Sequence, residues 1–254
     1  GFGYTLDSAL ASKTITGYLP IMSHKEALQN IAVAIGGYVT TARSGTINIK
    51  AFPNLSSEAV TTLTRARKFT GTTVKMRELV TGVDVTYHTY TKSAEAKEIK
   101  KVTLSIGENT VTFDSPVADL TVSQGTITES GANYCVITAA SAGECTISGK
   151  QYDDVTEIAS VRMAQLPAGD KENIITAEST LISADNAIEV AQRLYDYYQY
   201  RIEQTLKLVV NGEETVGQIA DIETEYGVYR GSIIETLDIN LTGGWVTKAV
   251  VVGE

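Results

Sequence analysis

The sequence predicts an α+β fold built from several modules, mainly antiparallel β structure with two main helices at about 23–36 and 183–200. Composition is the first observation behind this prediction. The chain contains 33 Thr, 23 Val and 22 Ile, residues that suit pleated, half-buried surfaces. The second observation is the regular spacing of turn residues from about 102 to 147, which is typical of short strands in an antiparallel sheet or small sandwich.

The first helix begins with a capping box. Ser23 and Glu26 form an S-x-x-E pattern, in which each side chain bonds the backbone N–H of the other residue. The helix ends at Gly36, because glycine adopts the left-handed C-cap conformation at low cost. Two short strands, 38–41 and 46–51, then predict a hairpin that packs with this helix.

The second helix carries a regular apolar stripe, and Ser183 is the expected cap. The stripe predicts the face that is buried. Its members are Ala184, Ala187, Ile188, Ala191, Leu194, Tyr195 and Tyr198. Strands are expected at about 202–210, 218–224, 228–241 and 245–252, and we interpret them as a four-strand meander.

These elements predict three modules. Residues 1–66 form a helix with a β-hairpin, 67–165 a β-rich middle domain, and 166–254 the long helix with the meander. The strand at 79–91 alternates apolar and polar residues, which is typical of a strand with one buried face. An alternative is that 79–91 pairs with the C-terminal strands, which makes 92–165 an insertion.

Charge and composition weigh against several function classes. The chain has 30 acidic and 21 basic residues, a net charge of −9, whereas nucleic-acid binders usually carry a basic face. The longest aliphatic run, 31–35, is far shorter than a membrane span of about 20 residues. Cys135 and Cys145 are expected to be free, half-buried thiols, with a cross-strand disulfide as the alternative. We therefore expect no nucleic-acid partner and no membrane span.

Catalytic and ligand-binding motifs are not expected either. His24 and His88 have no metal-ligand spacing around them, so we predict surface roles for both. The sequence contains no nucleotide-binding fingerprint and no nucleophile motif. We thus expect no enzyme activity, no metal and no cofactor. A cell-wall hydrolase is a third hypothesis, and it would need a carboxylate pair facing across a cleft, for which Asp153-Asp154 and Glu223 with Glu225 are the candidates.

Aromatic residues supply the candidate interface. Tyr197 and Tyr200 lie at the end of the long helix, away from its apolar stripe. Tyrosine is favoured at subunit contacts because it combines an apolar ring with a polar tip. A subunit contact and simple packing on the middle domain both remain open at this point. Trp245 is expected in the core, with a sugar-binding platform as the alternative.

Three segments, in order along most of the chain, resemble structural proteins of bacteriophage tails, the baseplate-hub or tail-associated proteins of Gram-positive prophages. The first contains Gly17-Tyr18-Leu19-Pro20-Ile21, Ser23-His24-Lys25-Glu26-Ala27-Leu28-Gln29 and Ser44-Gly45-Thr46-Ile47-Asn48-Ile49. The second is Leu79-Val80-Thr81-Gly82-Val83-Asp84-Val85. The third contains Ser183-Ala184-Asp185-Asn186-Ala187, Val216-Gly217-Gln218-Ile219-Ala220 and Leu241-Thr242-Gly243-Gly244-Trp245.

The resemblance implies small barrel-like modules that pack into a ring. It further implies a non-enzymatic hub or tail-tip role, commonly as a trimer, in a virion or tail particle assembled in the bacterial cytoplasm. Other tail proteins are then partners. The competing hypothesis is a carbohydrate-binding or cell-adhesion module that uses the sheet at 102–150, with a cell-wall glycan as partner. That region offers only Phe113 and Tyr134 as aromatic residues, so we favour the structural role.

Overall fold

The computed structural model describes residues 3–41, 45–54, 59–242 and 244–254 of the chain. Within these residues there are two helices, α1 (His24–Ile35) and α2 (Ala187–Tyr198). The strands are β1 (Tyr4–Leu6), β2 (Gly37–Thr41), β3 (Ile47–Ala51), β4 (Thr61–Leu63), β5 (Thr73–Met76), β6 (Gly82–Lys92), β7 (Lys97–Leu104), β8 (Gly107–Thr112), β9 (Val117–Val122), β10 (Thr126–Ser130), β11 (Tyr134–Ala139), β12 (Gly143–Arg162), β13 (Ile174–Glu178), β14 (Ile202–Val209), β15 (Ile219–Thr224), β16 (Gly227–Asn240) and β17 (Val246–Gly253). Most strand pairs are antiparallel, which confirms the predicted β-rich α+β fold.

The N-terminal helix and hairpin form as predicted. The Glu26 backbone N donates to Ser23 Oγ at 3.3 Å, and the Ser23 N donates to the Glu26 carboxylate at 2.9 Å. Gly36 ends α1 with φ 92°, a left-handed conformation that favours glycine. The strands β2 and β3 pair antiparallel, and β1 adds to β3 in parallel. The hairpin turn at 42–44 lies outside the described residues.

The twenty-residue strand β12 belongs to two layers. Its second half pairs with β6, and its first half pairs with β7 and β9. The other edge of β6 carries β13 in parallel register. The suggested pairing of 79–91 with the C-terminal strands is therefore wrong, because β12 and β13 already occupy both edges of β6.

A small sandwich lies beside the first half of β12. The sheet β10-β11-β8 packs against β7, β9 and β12 around a shared apolar core. Cys135 and Cys145 both lie in this core as free thiols. They are free as expected, but fully rather than partly buried, and burial together with the neighbouring Cys145 raises the pKa of the Cys135 thiol.

The second helix is shorter than predicted, but most of its predicted apolar stripe is buried. Ile188 and Ala184 are exposed, whereas the other members lie in or against the core: Ala187, Ala191, Leu194, Tyr195 and Tyr198. Ser183 does not cap it, because residues 183–186 form a turn in which the Asn186 side chain accepts from the Ser183 backbone N at 2.8 Å. Val190 is 1% exposed against β6, whereas Ile188 is 56% exposed. Val190 therefore takes the place of Ile188 in the buried face of α2.

The C-terminal sheet has the order β4-β15-β16-β17-β14-β5. The predicted meander is wrong in one respect, since β14 lies beside β17 and not beside β15. In a flat sheet β4 and β5 would be five strand spacings apart, about 24 Å. Lys68 forms a bridge with Leu208 on the side of β14 where β5 pairs, so in a flat sheet it would lie at that same distance from β4. However, Lys68 is only five residues from Leu63 on β4, and five extended residues span at most about 18 Å. The sheet must therefore curl, and it encloses its own core.

Strand pairing also crosses the predicted module boundaries. The strand β4 precedes residue 66, yet it joins the C-terminal sheet through β15. The strand β13 follows residue 165, yet it pairs with β6. Contiguous pieces of sequence thus do not coincide with the sheets. Among the described residues, the helices are too short or too polar to cross a bilayer.

Candidate functional site

The end of α2, where the sequence places its candidate interface, lies at a junction between three parts of the molecule. The Tyr197 ring packs edge-to-face against Phe52, which follows β3, with centroids 5.6 Å apart. It also contacts Tyr200, at 6.4 Å. Both tyrosines are half-buried. Tyr197 therefore packs within its own chain, and the structure brings it together with Tyr200 as the sequence pattern indicates.

Arg77 organises the charges at this junction. Its guanidinium contacts Glu235 on β16 at 2.9 and 2.5 Å, and Glu203 on β14 at 3.0 Å. The Tyr197 hydroxyl donates to the same Glu235 carboxylate. Burial would lower the pKa of Arg77, but the hydrogen bonds of these partners raise it overall. Burial, together with the bond to Glu235, raises the pKa of Tyr197 to about 12.

The chain next to this junction forms a sheet edge. Arg77 directly follows β5, whose four residues are all exposed. Met76 pairs with Ile202, two residues beyond Tyr200, so β5 and the end of α2 form one continuous surface. Met76 is 66% exposed. An edge strand with exposed apolar side chains is a ready site for pairing with another chain.

One predicted surface histidine is buried. His24 is exposed on α1, as predicted. His88 is buried on β6, and its Nδ1 lies 2.9 Å from the Asp154 carboxylate. The surface prediction for His88 is wrong because neighbouring side chains cover the imidazole: the Tyr90 ring stacks on it with centroids 5.6 Å apart, and the Glu178 carboxylate lies 3.6 Å from Nε2.

Three of the four carboxylates considered for catalysis have local partners. Asp154 bonds His88, and Glu225 forms an ion pair with Arg65 at 3.2 Å. Glu223 accepts from the Arg65 backbone N at 3.0 Å. A glycoside hydrolase instead needs two carboxyls facing across a cleft. Within the described part of the chain, no group of three or more His, Cys, Asp or Glu side chains is arranged to hold a metal ion.

Trp245 does not lie in the core. It is more than half exposed and has φ 58°, a left-handed conformation unusual for a bulky residue. It precedes β17, where its carbonyl accepts from the Val210 backbone N at 3.0 Å. The core prediction for Trp245 is therefore wrong, because this turn directs the ring away from the sheet's interior.

A groove that the sequence analysis missed opens beside β5. It has a volume of about 550 Å³. We call it the β5 groove. The residues that line it include Arg65, Phe69, Gln204, Glu225, Tyr226 and Tyr229. Gln204 had a signal in the sequence, because it interrupts the apolar positions Ile202, Leu206 and Leu208 on one face of β14. No pattern in the sequence marked residues 65–69 as part of a groove, since they meet β14 only through the curl of the sheet.

The fold as a whole is shared with a solved tail protein. The structure matches the tail protein from Neisseria meningitidis MC58 with a TM-score of 0.51 and 8% identity, covering 99% of this chain and 61% of that chain. The resemblance found in the sequence is confirmed at the level of fold.

Two further solved structures are similar. The 43 kDa tail protein of prophage MuSo2 from Shewanella oneidensis has a TM-score of 0.49 and 10% identity, with 99% and 61% of the two chains covered. Prophage tail protein gp18 from Listeria monocytogenes EGD-e has a TM-score of 0.44 and 9% identity, with 100% and 60% covered. The present chain thus spans about three fifths of the length of these proteins. No protein-family model and no curated protein matches the sequence.

Proposed function

We propose that this chain is a non-enzymatic structural component of a phage tail or tail-like particle. The observation that carries the proposal is the shared fold with the Neisseria tail protein over 99% of the chain. The local partners of three of the four candidate catalytic carboxylates support a role without catalysis. In this proposal the protein belongs to the baseplate hub or tail tip, is assembled in the bacterial cytoplasm, and contacts other tail proteins.

Self-association is the second part of the proposal, with a trimer as the expected state. The contact surface consists of the β5 edge together with Tyr197 and Tyr200 at the end of α2. Its support is the continuity of this surface through the pairing of Met76 with Ile202. Exposed apolar side chains on an unpaired edge allow a strand or loop of another copy to add to the sheet. Tyr197 supports this surface indirectly, because its ring packs on Phe52 and so fixes the end of α2.

Light scattering across a concentration series tests this proposal. The expected mass is three times the 27.2 kDa of one chain, and negative-stain images should show closed rings. Met76→Lys places a charge on the β5 edge and should shift the mass toward that of a monomer. Val155→Lys is the matched control, because Val155 is also an exposed apolar strand residue but lies on β12.

The oligomer masses of the two variants show whether the β5 edge is the contact. Loss of the oligomer in Met76→Lys alone supports the β5 edge as the contact. Equal loss in both variants would assign the effect to added charge rather than to the surface. A monomeric mass for the unmodified chain at every concentration would overturn self-association.

A further inference from the structure

The β5 groove contains a buried polar group without a partner. Gln204 is 2% exposed, and its Oε1 has no hydrogen-bond partner among the described residues. Buried amide oxygens in native proteins are nearly always satisfied, so each exception needs an explanation. Gln204 lines the groove. Its Oε1 is shielded from solvent, so a ligand that enters the groove and donates a hydrogen bond satisfies this oxygen once the amide group rotates to face the groove.

The rim of the groove is aromatic. Phe69 and Tyr229 are partly exposed, and Tyr226 at the tip of the β15–β16 hairpin is 95% exposed. The backbone N of Phe69 bonds the Lys207 carbonyl at 2.8 Å, which fixes its position beside β14. Such rings offer broad apolar faces next to polar groups. This combination suits a molecule with one apolar C–H face and many hydroxyl groups.

The charged groups at the groove are already paired. Arg65 and Glu225 neutralise each other at 3.2 Å. The Lys68 ammonium donates to the backbone carbonyl of Glu223. An ionic ligand would have to compete with these contacts, whereas a neutral ligand would not. The volume of about 550 Å³ lies in the range typical of small-molecule sites, about 300–1,000 Å³.

We propose that the β5 groove binds a neutral saccharide. The Gln204 amide rotates so that its Oε1 accepts from a sugar hydroxyl or an acetamido N–H, and sugar rings pack on Tyr226 and Tyr229. A second copy of the chain is the less suitable occupant, because a strand adding to the β5 edge bonds backbone groups at the edge. Gln204 instead lies on the face of the sheet, opposite Val74 in the register. This inference goes beyond the structural role proposed above and does not rest on it.

Calorimetric titration tests the inference with two defined probes, tri-N-acetylchitotriose and maltotriose. We expect binding of at least one trisaccharide at millimolar concentration or below. Binding of the chitotriose alone would identify the acetamido group as the donor, and binding of both would identify hydroxyl groups. No measurable binding of either would overturn the proposal.

Two variants locate the site. Gln204→Met keeps the side-chain length but removes the oxygen, and it should weaken binding at least tenfold without lowering the melting temperature. Tyr226→Ala removes an exposed ring and should weaken binding by about tenfold. Tyr4→Ala is the matched control, because Tyr4 is an exposed tyrosine on β1, outside the groove.

The readout separates this proposal from the proposed function, since it measures sugar binding and not oligomer mass. Unchanged affinity in Gln204→Met would overturn the assignment of the site. If Tyr226→Ala lowers the oligomer mass and leaves saccharide affinity unchanged, the groove holds a second copy and the saccharide proposal is wrong. A loss of affinity in both groove variants, with Tyr4→Ala unaffected, supports it.

Discussion

Replacing Arg77 tests whether its ion cluster holds the junction between α2 and the C-terminal sheet. Arg77→Met keeps an apolar side chain of similar length but removes the charge. Glu235 and Glu203 then lose hydrogen bonds of 2.5 to 3.0 Å, while both carboxylates stay mostly buried. Hydrogen bonds to charged groups contribute about 1.5–3 kcal/mol each. The three bonds share partners and are not additive, so we expect a loss of about 3 kcal/mol in unfolding free energy.

Urea unfolding followed by circular dichroism measures this loss. In a chain of this size, about 3 kcal/mol corresponds to a fall of roughly 6–12 °C in melting temperature. Arg77→Lys should give an intermediate loss, because an ammonium cannot bond both carboxylates in the forked geometry of a guanidinium. Arg230→Met is the control, since Arg230 is exposed on β16, and its effect should stay within about 0.5 kcal/mol.

The contributions of Arg77 and Glu235 to stability should be coupled. In the double variant Arg77→Met with Glu235→Leu, the carboxylate left unpaired by the first change is removed, so part of the lost stability should return. Equal stability of Arg77→Met and the unmodified chain would refute the conclusion that this cluster stabilises the junction. If the losses in unfolding free energy of the two single variants add up in the double variant, Arg77 and Glu235 do not act as a pair.

Two further predictions concern α2. Val190→Asp should lower the unfolding free energy by about 3 kcal/mol or more, because it places an unpaired charge in a buried contact. Ile188→Asp should be nearly neutral. A larger loss in Ile188→Asp than in Val190→Asp, measured by denaturant unfolding, would place Ile188 on the buried face, as predicted from sequence. The raised pKa of Tyr197, about 12, means that the unfolded chain loses this proton at lower pH than the folded chain does. Unfolding free energy should therefore fall as the pH rises from about 10 to about 12, and Tyr197→Phe should reduce that fall; identical pH profiles would contradict the assignment.

Local patterns in the sequence predicted many of the elements because their causes are local. The capping box of Ser23 and Glu26 and the glycine at position 36 fix the ends of α1 through neighbours within one turn. The period-2 pattern of β6 gives the buried face of Val83 and Val85. These signals need no knowledge of distant residues.

The site was less accessible to prediction. Tyr197 and Tyr200 were selected by their position opposite the apolar stripe, but the partners of Tyr197 are Phe52, Arg77 and Glu235. These partners come from separate parts of the chain. The β5 groove shows the same limit, because its rim combines residues 65–72 with a hairpin more than 150 positions away.

The sequence by itself determined the β-rich class, the caps of α1 and the alternation of most strands, because propensity and periodicity act over a few residues. The tertiary structure decided which faces are covered. The side chains of Tyr90 and Glu178 cover His88 on what the alternation marks as an exposed face, and the turn before β17 exposes Trp245. The curl of the C-terminal sheet leaves Gln204 buried beside a groove. Such outcomes depend on contacts between residues distant in sequence, and periodicity carries no information about the second layer that packs on a strand.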